Sequence, residues 1–203
     1  MKKSSAASGS PRRGYHHGDA RNALLGAAAE LLEKVGAAGL SLRQVAERAG
    51  LSRQAPYNHF ASKAALLAEL AREGFERLAA SLSAGVDARA KNALERAGDA
   101  YIRHAQQAPA LFRLMFSREL VDLSRFPAAA QAGSKAFDQL NEIVAAFTPP
   151  DRVRELALAA WSLVHGYATL CIEIGLEPDT RRAARARLFA RIIRGAAARV
   201  RAE

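Results

Sequence analysis

The chain has 203 residues, half of them apolar and a quarter charged, with a formal net charge of +10. That length suffices for one large or two small domains with a real core, and the composition reads as soluble and globular rather than disordered. A single cysteine, Cys171, excludes an intrachain disulfide or a multi-thiolate metal site and fits a reducing, cytoplasmic location.

The charge is unevenly spread. Residues 1–63 hold ten Lys/Arg against four Asp/Glu, or +6, whereas residues 64–203 hold twenty against sixteen, or +4. A basic region raises the local concentration of polyanions, which puts nucleic acid or an anionic membrane first among partners. The excess of Arg over Lys, 24 to 6, leaves compositional bias as the other source of that charge.

Residues 1–14 are rich in Ser, Gly, Pro, Lys and Arg, so they read as a disordered basic arm. Lys2 and Lys3 are followed by no apolar core, so the start lacks the pattern of a signal peptide. The arm's Lys2, Lys3, Arg12 and Arg13 suit either a minor groove or a solubilising tail.

From Asp19, an N-cap candidate, a helical period begins. Leu24, Leu25, Ala28, Leu31, Leu32 and Val35 fall on one stripe, and Gly36 is the expected stop. Ser41 with Gln44 three residues on predicts a capping box and a second helix, with Leu42, Val45, Ala46 and Ala49 inward. Gly50 supplies the positive φ that ends it. Ser52 is the expected cap of a third helix anchored by Tyr57 and Phe60. Ser62 caps a fourth, carried by Leu66, Leu67, Leu70, Phe75 and Leu78.

Further helices are expected at 87–107, 109–117, 128–147, 151–175 and 179–200, separated by prolines. No strand pattern of useful length or internal repeat occurs, so the fold class is all-α with about nine helices.

A capped helix, a Gly turn and a second short capped helix make a helix-turn-helix unit at 41–60. Ala46 is small where the helices approach. Arg53, Gln54 and Asn58 on the outer face suit base edges in a major groove: Arg pairs best with guanine, and Gln or Asn with adenine. Lys63, Tyr57 and Ser41 suit phosphates, which fix register without reading sequence. An ordinary solvated face is the alternative for these side chains.

The segment "LSLRQVAERAGLSRQAPYNHFASKAALLAEL", behind "RNALLGAAAELLEKVG", closely resembles the N-terminal domain of TetR-family transcriptional regulators, from about Tyr15 to Leu78. The Tyr57-x-His59-Phe60-x-Ser62-Lys63 run is its most specific part. The resemblance implies a three-helix DNA-binding head at 15–78, a helical body at 79–203, a dimer, and helix 3 in the major groove of a palindromic operator. It implies that Arg43, Ser52, Arg53, Gln54, Tyr57, Asn58, His59 and Lys63 face DNA. Pro56 departs from the family's usual aliphatic residue. Lacking an N–H, it is expected to distort the first turn of helix 3 or move its cap to Arg53.

In the body, Leu156–Ile174 is long enough to span a membrane, but His165 and Glu173 interrupt it and Ser162, Gly166 and Thr169 weaken it. A helix apolar on all sides is also what a buried interface looks like, and the interface is the reading adopted. Helices 8 and 9 are the expected homodimer interface, helix 9 through Leu188, Phe189, Ile192, Ile193 and Val200. The Trp161-Ser-Leu-Val-His165-Gly166 run resembles a segment of the C-terminal domain in one TetR subgroup. The arginines at 181, 182, 185, 187, 191, 194, 199 and 201 read as a solvated face pairing with acids of a partner helix, rather than a second nucleic-acid surface.

For a small-molecule effector, Tyr101, His104, Phe112, Met115, Phe116, Phe137, Trp161 and His165 are the candidate lining residues by type and placement, with core packing as the alternative for each. Cys171 reads as an inert buried hydrophobe. An enzyme is the main rival class, yet the sequence holds no paired Glu-x-x-His motifs, phosphate loop, nucleophile elbow or zinc spacing. No metal or cofactor is expected, and His16–His17 is weak evidence for one. The resemblance implies a sequence-specific regulator, a repressor by family default, that a ligand releases from DNA. An architectural protein that binds DNA without sequence preference is the second reading.

Overall fold

The computed structural model describes residues 17–84, 87–176 and 181–200. Within them the chain forms nine α-helices and two 3-10 turns, and no strand. The basic arm, His16, residues 177–180 and Arg201 lie outside the described residues, as do the side chains of His17, Asp19 and Val200.

Helix α1 (His17–Gly39) is already helical at His17, so Asp19 lies within it and is not its cap. Leu24, Leu25, Ala28 and Leu32 are buried as the period predicts. Val35, the residue before the Gly36 kink, is exposed instead. Gly36, at φ 68°, breaks the helix where the sequence placed its stop, and one last turn follows the kink.

Helix α2 (Leu42–Arg48) begins at a complete capping box. Ser41 Oγ accepts from Gln44 N at 3.3 Å, and Gln44 Oε1 accepts from Ser41 N at 2.9 Å. Leu42, Val45 and Ala46 are buried and Ala49 half-buried. Gly50, at φ 67°, then turns the chain.

Helix α3 (Ala55–His59) starts later than expected, and Ser52 is not its cap. Pro56 has no N–H to return to the Ser52 carbonyl, so Ala55 N donates to it at 3.0 Å in a 3-10-type turn. The boundary moves past Arg53 to Gln54, which makes no side-chain cap bond. At the other end Phe60 N donates to Pro56 O at 2.8 Å and closes the helix. Pro56 and Phe60 are the buried anchors; Tyr57 is not one, being 56% exposed.

Helix α4 (Lys63–Ser83) is capped by Ser62, whose Oγ accepts from Ala65 N at 3.1 Å. Its buried face runs without interruption from Leu66 and Leu70 in the head to Phe75, Leu78 and Leu82 in the body. Helix α5 (Ala93–Gln107) starts six residues after Asp87, where a helix was expected to begin. Asp87 Oδ1 accepts from Arg89 N at 2.9 Å, an Asx turn that competes with the helix.

The remaining helices are α6 (Pro109–Phe116), α7 (Pro127–Ala145), α8 (Val153–Ile174) and α9 (Arg182–Val200). Helix α4 lies along α7, and α5 packs on α8 and α9. Gly74 lets α6 close on α4: a Cβ there would stand 2.7 Å from Met115 Sδ. The stretch Pro150–Ile174 is long and apolar enough to cross a membrane by length and composition. One face of α8 is buried, with Leu156, Ala157, Ala160, Val164 and Ala168 inward.

Three of the α9 arginines have partners within their own chain. Arg182 Nε donates to Asp99 Oδ1 at 2.7 Å, Arg187 reaches Glu95 at 3.7 Å, and the Arg194 guanidinium stands 4.6 Å above the Phe147 ring. Cys171 is half-buried.

Candidate functional site: a head face and a core cavity

The head is a small scaffold tied from several directions. Arg21 on α1 pairs with Glu69 on α4 and lies 5.5 Å over the Phe60 ring. Arg48 on α2 pairs with Glu30 on α1. Glu69 also accepts from Arg72, the main reason its carboxyl titrates below the ordinary range.

On that scaffold Arg43, Ser52, Arg53, Gln54, Tyr57 and Asn58 all face solvent. Their side chains make no hydrogen bond or ion pair among the described residues, whereas neighbouring Arg48 is paired. Arg53 stands in the turn just ahead of α3, and an exposed, unpaired guanidinium keeps all its donors available to an outside acceptor. Three of the predicted contacts stand differently. Ser41 is half-buried, and its hydroxyl also donates to Gln44 Oε1 at 2.7 Å, so the cap occupies it. Lys63 Nζ donates to Ala38 O at 3.1 Å, which stitches α4 to the end of α1 and uses one of three donors. His59 is half-buried beside Phe60, ring centroids 6.5 Å apart.

Head meets body at a contact that sequence reasoning missed. Glu33 on α1 reaches the start of α6, its Oε1 accepting from Leu111 N at 2.9 Å and its Oε2 from Ala110 N at 3.1 Å. Two of the free amides of that helix end are thereby satisfied by a carboxylate, which also suits the positive end of the helix dipole. Nothing in sequence spacing signals a bond between residues so far apart.

Inside the body is a narrow cavity of about 50 Å³, walled by α4, α5, α7, α8, α9 and the tip of α6. Of the candidate lining residues it takes Tyr101, Phe116, Phe137 and Trp161. Phe112 and His165 do not line it. They wall a shallow groove between α6 and α8, on the far side of Phe116. Met115 does not line it either, since it fills the space under Gly74, and His104 opens on a polar groove between α5 and the start of α9. Missed were the small residues that hollow the space, among them Gly98, Gly133, Ala136 and Ala186. A run of Ala and Gly on otherwise large-residue faces was the available signal.

Three polar groups cross the cavity wall in a chain. Trp161 Nε1 donates to Tyr101 Oη at 3.0 Å, and that oxygen lies 2.8 Å from His165 Nδ1. Burial raises the Tyr101 phenol and lowers the His165 imidazole, so both stay neutral at physiological pH. Burial, then the Arg77 charge, pushes His104 down to about 4.

Among curated proteins none matches the chain. Family models do: "Bacterial regulatory proteins, tetR family" over residues 24–70, and "Tetracyclin repressor-like, C-terminal domain" over residues 94–196, just over half of the chain. A protein of unknown function from Rhodococcus sp. RHA1 has 35% identity and a TM-score of 0.73, over 89% of this chain and 98% of that one. The TetR family transcriptional regulator PfmR from Thermus thermophilus has 22% identity and a TM-score of 0.65, over 83% and 97%. A bacterial regulatory protein in the tetR family from Rhodococcus RHA1 has 22% identity and a TM-score of 0.69, over 86% and 96%. With both family models matched in chain order and the helix-turn-helix head in place, the chain belongs to the TetR family of transcriptional regulators.

Proposed function

We propose that this protein is a sequence-specific repressor that binds a palindromic operator as a homodimer and is released by a small molecule held in the body cavity. The observation that carries the reading is the unpaired polar face of residues 52–58, held outward by buried Pro56 and Phe60. Arg53, Gln54 and Asn58 read base edges there, while Arg43, Tyr57 and the remaining donors of Lys63 bind phosphates. Ser52, Ser41 and His59 stand at the margin of that face.

One head covers few bases, so specificity needs two. The dimer forms through α8 and α9, whose Leu158, Leu170, Ile174, Leu188 and Ile192 stand exposed in the single chain. Gly166 on α8 has open space around it, which suits close approach of a second copy. The two heads then address half-sites about 34–36 Å apart or a multiple of it. An effector that prefers the state with mismatched head spacing lowers operator affinity by that preference and no more. The protein works in the cytoplasm, without catalysis or a cofactor.

Selection of sites from random duplexes with the purified chain tests this. A two-fold symmetric consensus bound by a dimer is expected. A monomer for which no duplex outcompetes bulk genomic fragments overturns it, and sequence-independent binding supports the architectural reading instead.

A further inference from the structure

We propose that the cavity selects an uncharged, apolar effector carrying at most one hydrogen-bonding group, which it meets at Tyr101 Oη. The inference rests on the cavity being the effector site, and it names the chemistry that site accepts.

No charged side chain lines the cavity, and among its lining side chains only Tyr101 and Trp161 carry a polar atom. They are largely satisfied by each other. A phenol oxygen offers one donor and two acceptor positions. Trp161 takes one acceptor and the bond with His165 takes a second position, whichever tautomer His165 holds. One position remains. A hydroxyl on the effector can use it; a carboxylate or ammonium finds no counter-charge, and burying either unpaired is heavily penalised.

The space is also narrow. At about 50 Å³ it holds a few waters at most, so an occupant must be slim or must part the walls. The part of α6 in that wall is Phe116, packed edge-on against Phe75 at 5.3 Å and tilted against Trp161 at 5.9 Å. An occupant therefore presses on the helix whose other end Glu33 holds to the head.

Trp161 is the only tryptophan in the chain, so its fluorescence reports occupancy without any DNA. The probes are 1-octanol, octanoate and octylammonium, equal in chain and different in head group. Octanol is expected to shift the Trp161 emission saturably at pH 7.4. Octanoate must first take up a proton, which at that pH costs roughly three factors of ten, so it should bind at least about 100-fold more weakly. Its affinity should rise about tenfold per unit as pH falls to 5.4. Octylammonium must shed a proton at a similar cost, so it too should bind at least about 100-fold more weakly than octanol. Its affinity should fall as the pH is lowered. Ala136→Leu, which fills the cavity from α7, should abolish the octanol shift, with folding checked by circular dichroism. Ala160→Leu fills it from α8 should the first variant not fold. Octanoate binding as tightly as octanol at pH 7.4, or an octanol shift that survives filling, overturns the inference. Octanol that binds but leaves operator affinity unchanged upholds the selectivity and counts against release by this site.

Discussion

The head and the body hold their candidate sites in opposite ways. In the head the scaffold is buried and the chemistry projects: Pro56 and Phe60 turn inward so that Arg53, Gln54, Tyr57 and Asn58 turn out. In the body the candidate site is a hollow, defined by where Gly98, Gly133 and Ala136 leave out atoms. Projecting groups are recognised by identity and spacing. A hollow is recognised only once the walls are assembled.

The contrast predicts different responses to substitution. Phe60→Ala removes a buried ring from the smallest part of the core and should cost about 3–5 kcal/mol. Thermal denaturation should show it, with operator binding lost alongside because the outward face loses its anchor. Arg53→Ala should leave the melting temperature unchanged and weaken operator binding by about 1–3 kcal/mol, read by titration at fixed salt, with relaxed preference at one base position of each half-site. A melting temperature that falls with it would mean that the projecting face also holds the head together.

Smaller effects test the join and the interior. Glu33→Ala leaves the Ala110 and Leu111 amides without their acceptor and should cost about 1 kcal/mol. Hydrogen exchange should speed at those two amides and not in α3. A different kind of effect is a pH dependence set by a buried group of the body. His104 has a folded pKa of about 4, below its unfolded value near 6.5. Between those values the unfolded chain binds more protons, so stability falls as the solution is acidified from 6.5 to 4. His104→Gln should flatten that slope in denaturant titrations, and a slope unchanged by it would assign the dependence elsewhere.

Much of the fold was legible because local rules and tertiary packing agree. Ser41 with Gln44, Gly36, Gly50 and Ser62 all act as their types suggest, since each satisfies backbone demands within a few residues. Failures came where a neighbour overrode the local rule. Ser52 loses its cap role because Pro56 lacks the N–H that would make the first helical turn. The start of α5 slides to Ala93 because Asp87 bonds its own turn. The outward residues of the head were readable from pattern and resemblance together. The cavity was half readable: aromatic identity picked Tyr101, Phe116, Phe137 and Trp161, but could not separate Phe112, on α6 beside Phe116 yet facing the outer groove.

The Glu33 contact has a practical corollary for hybrid regulators. By sequence the residue travels with the DNA-reading end, yet both of its bonds are made to α6. A chimera spliced between α4 and α5 would draw the carboxylate from one parent and the amides it serves from another. The donor head must therefore present an acceptor at that position, or the graft begins with an unfastened hinge.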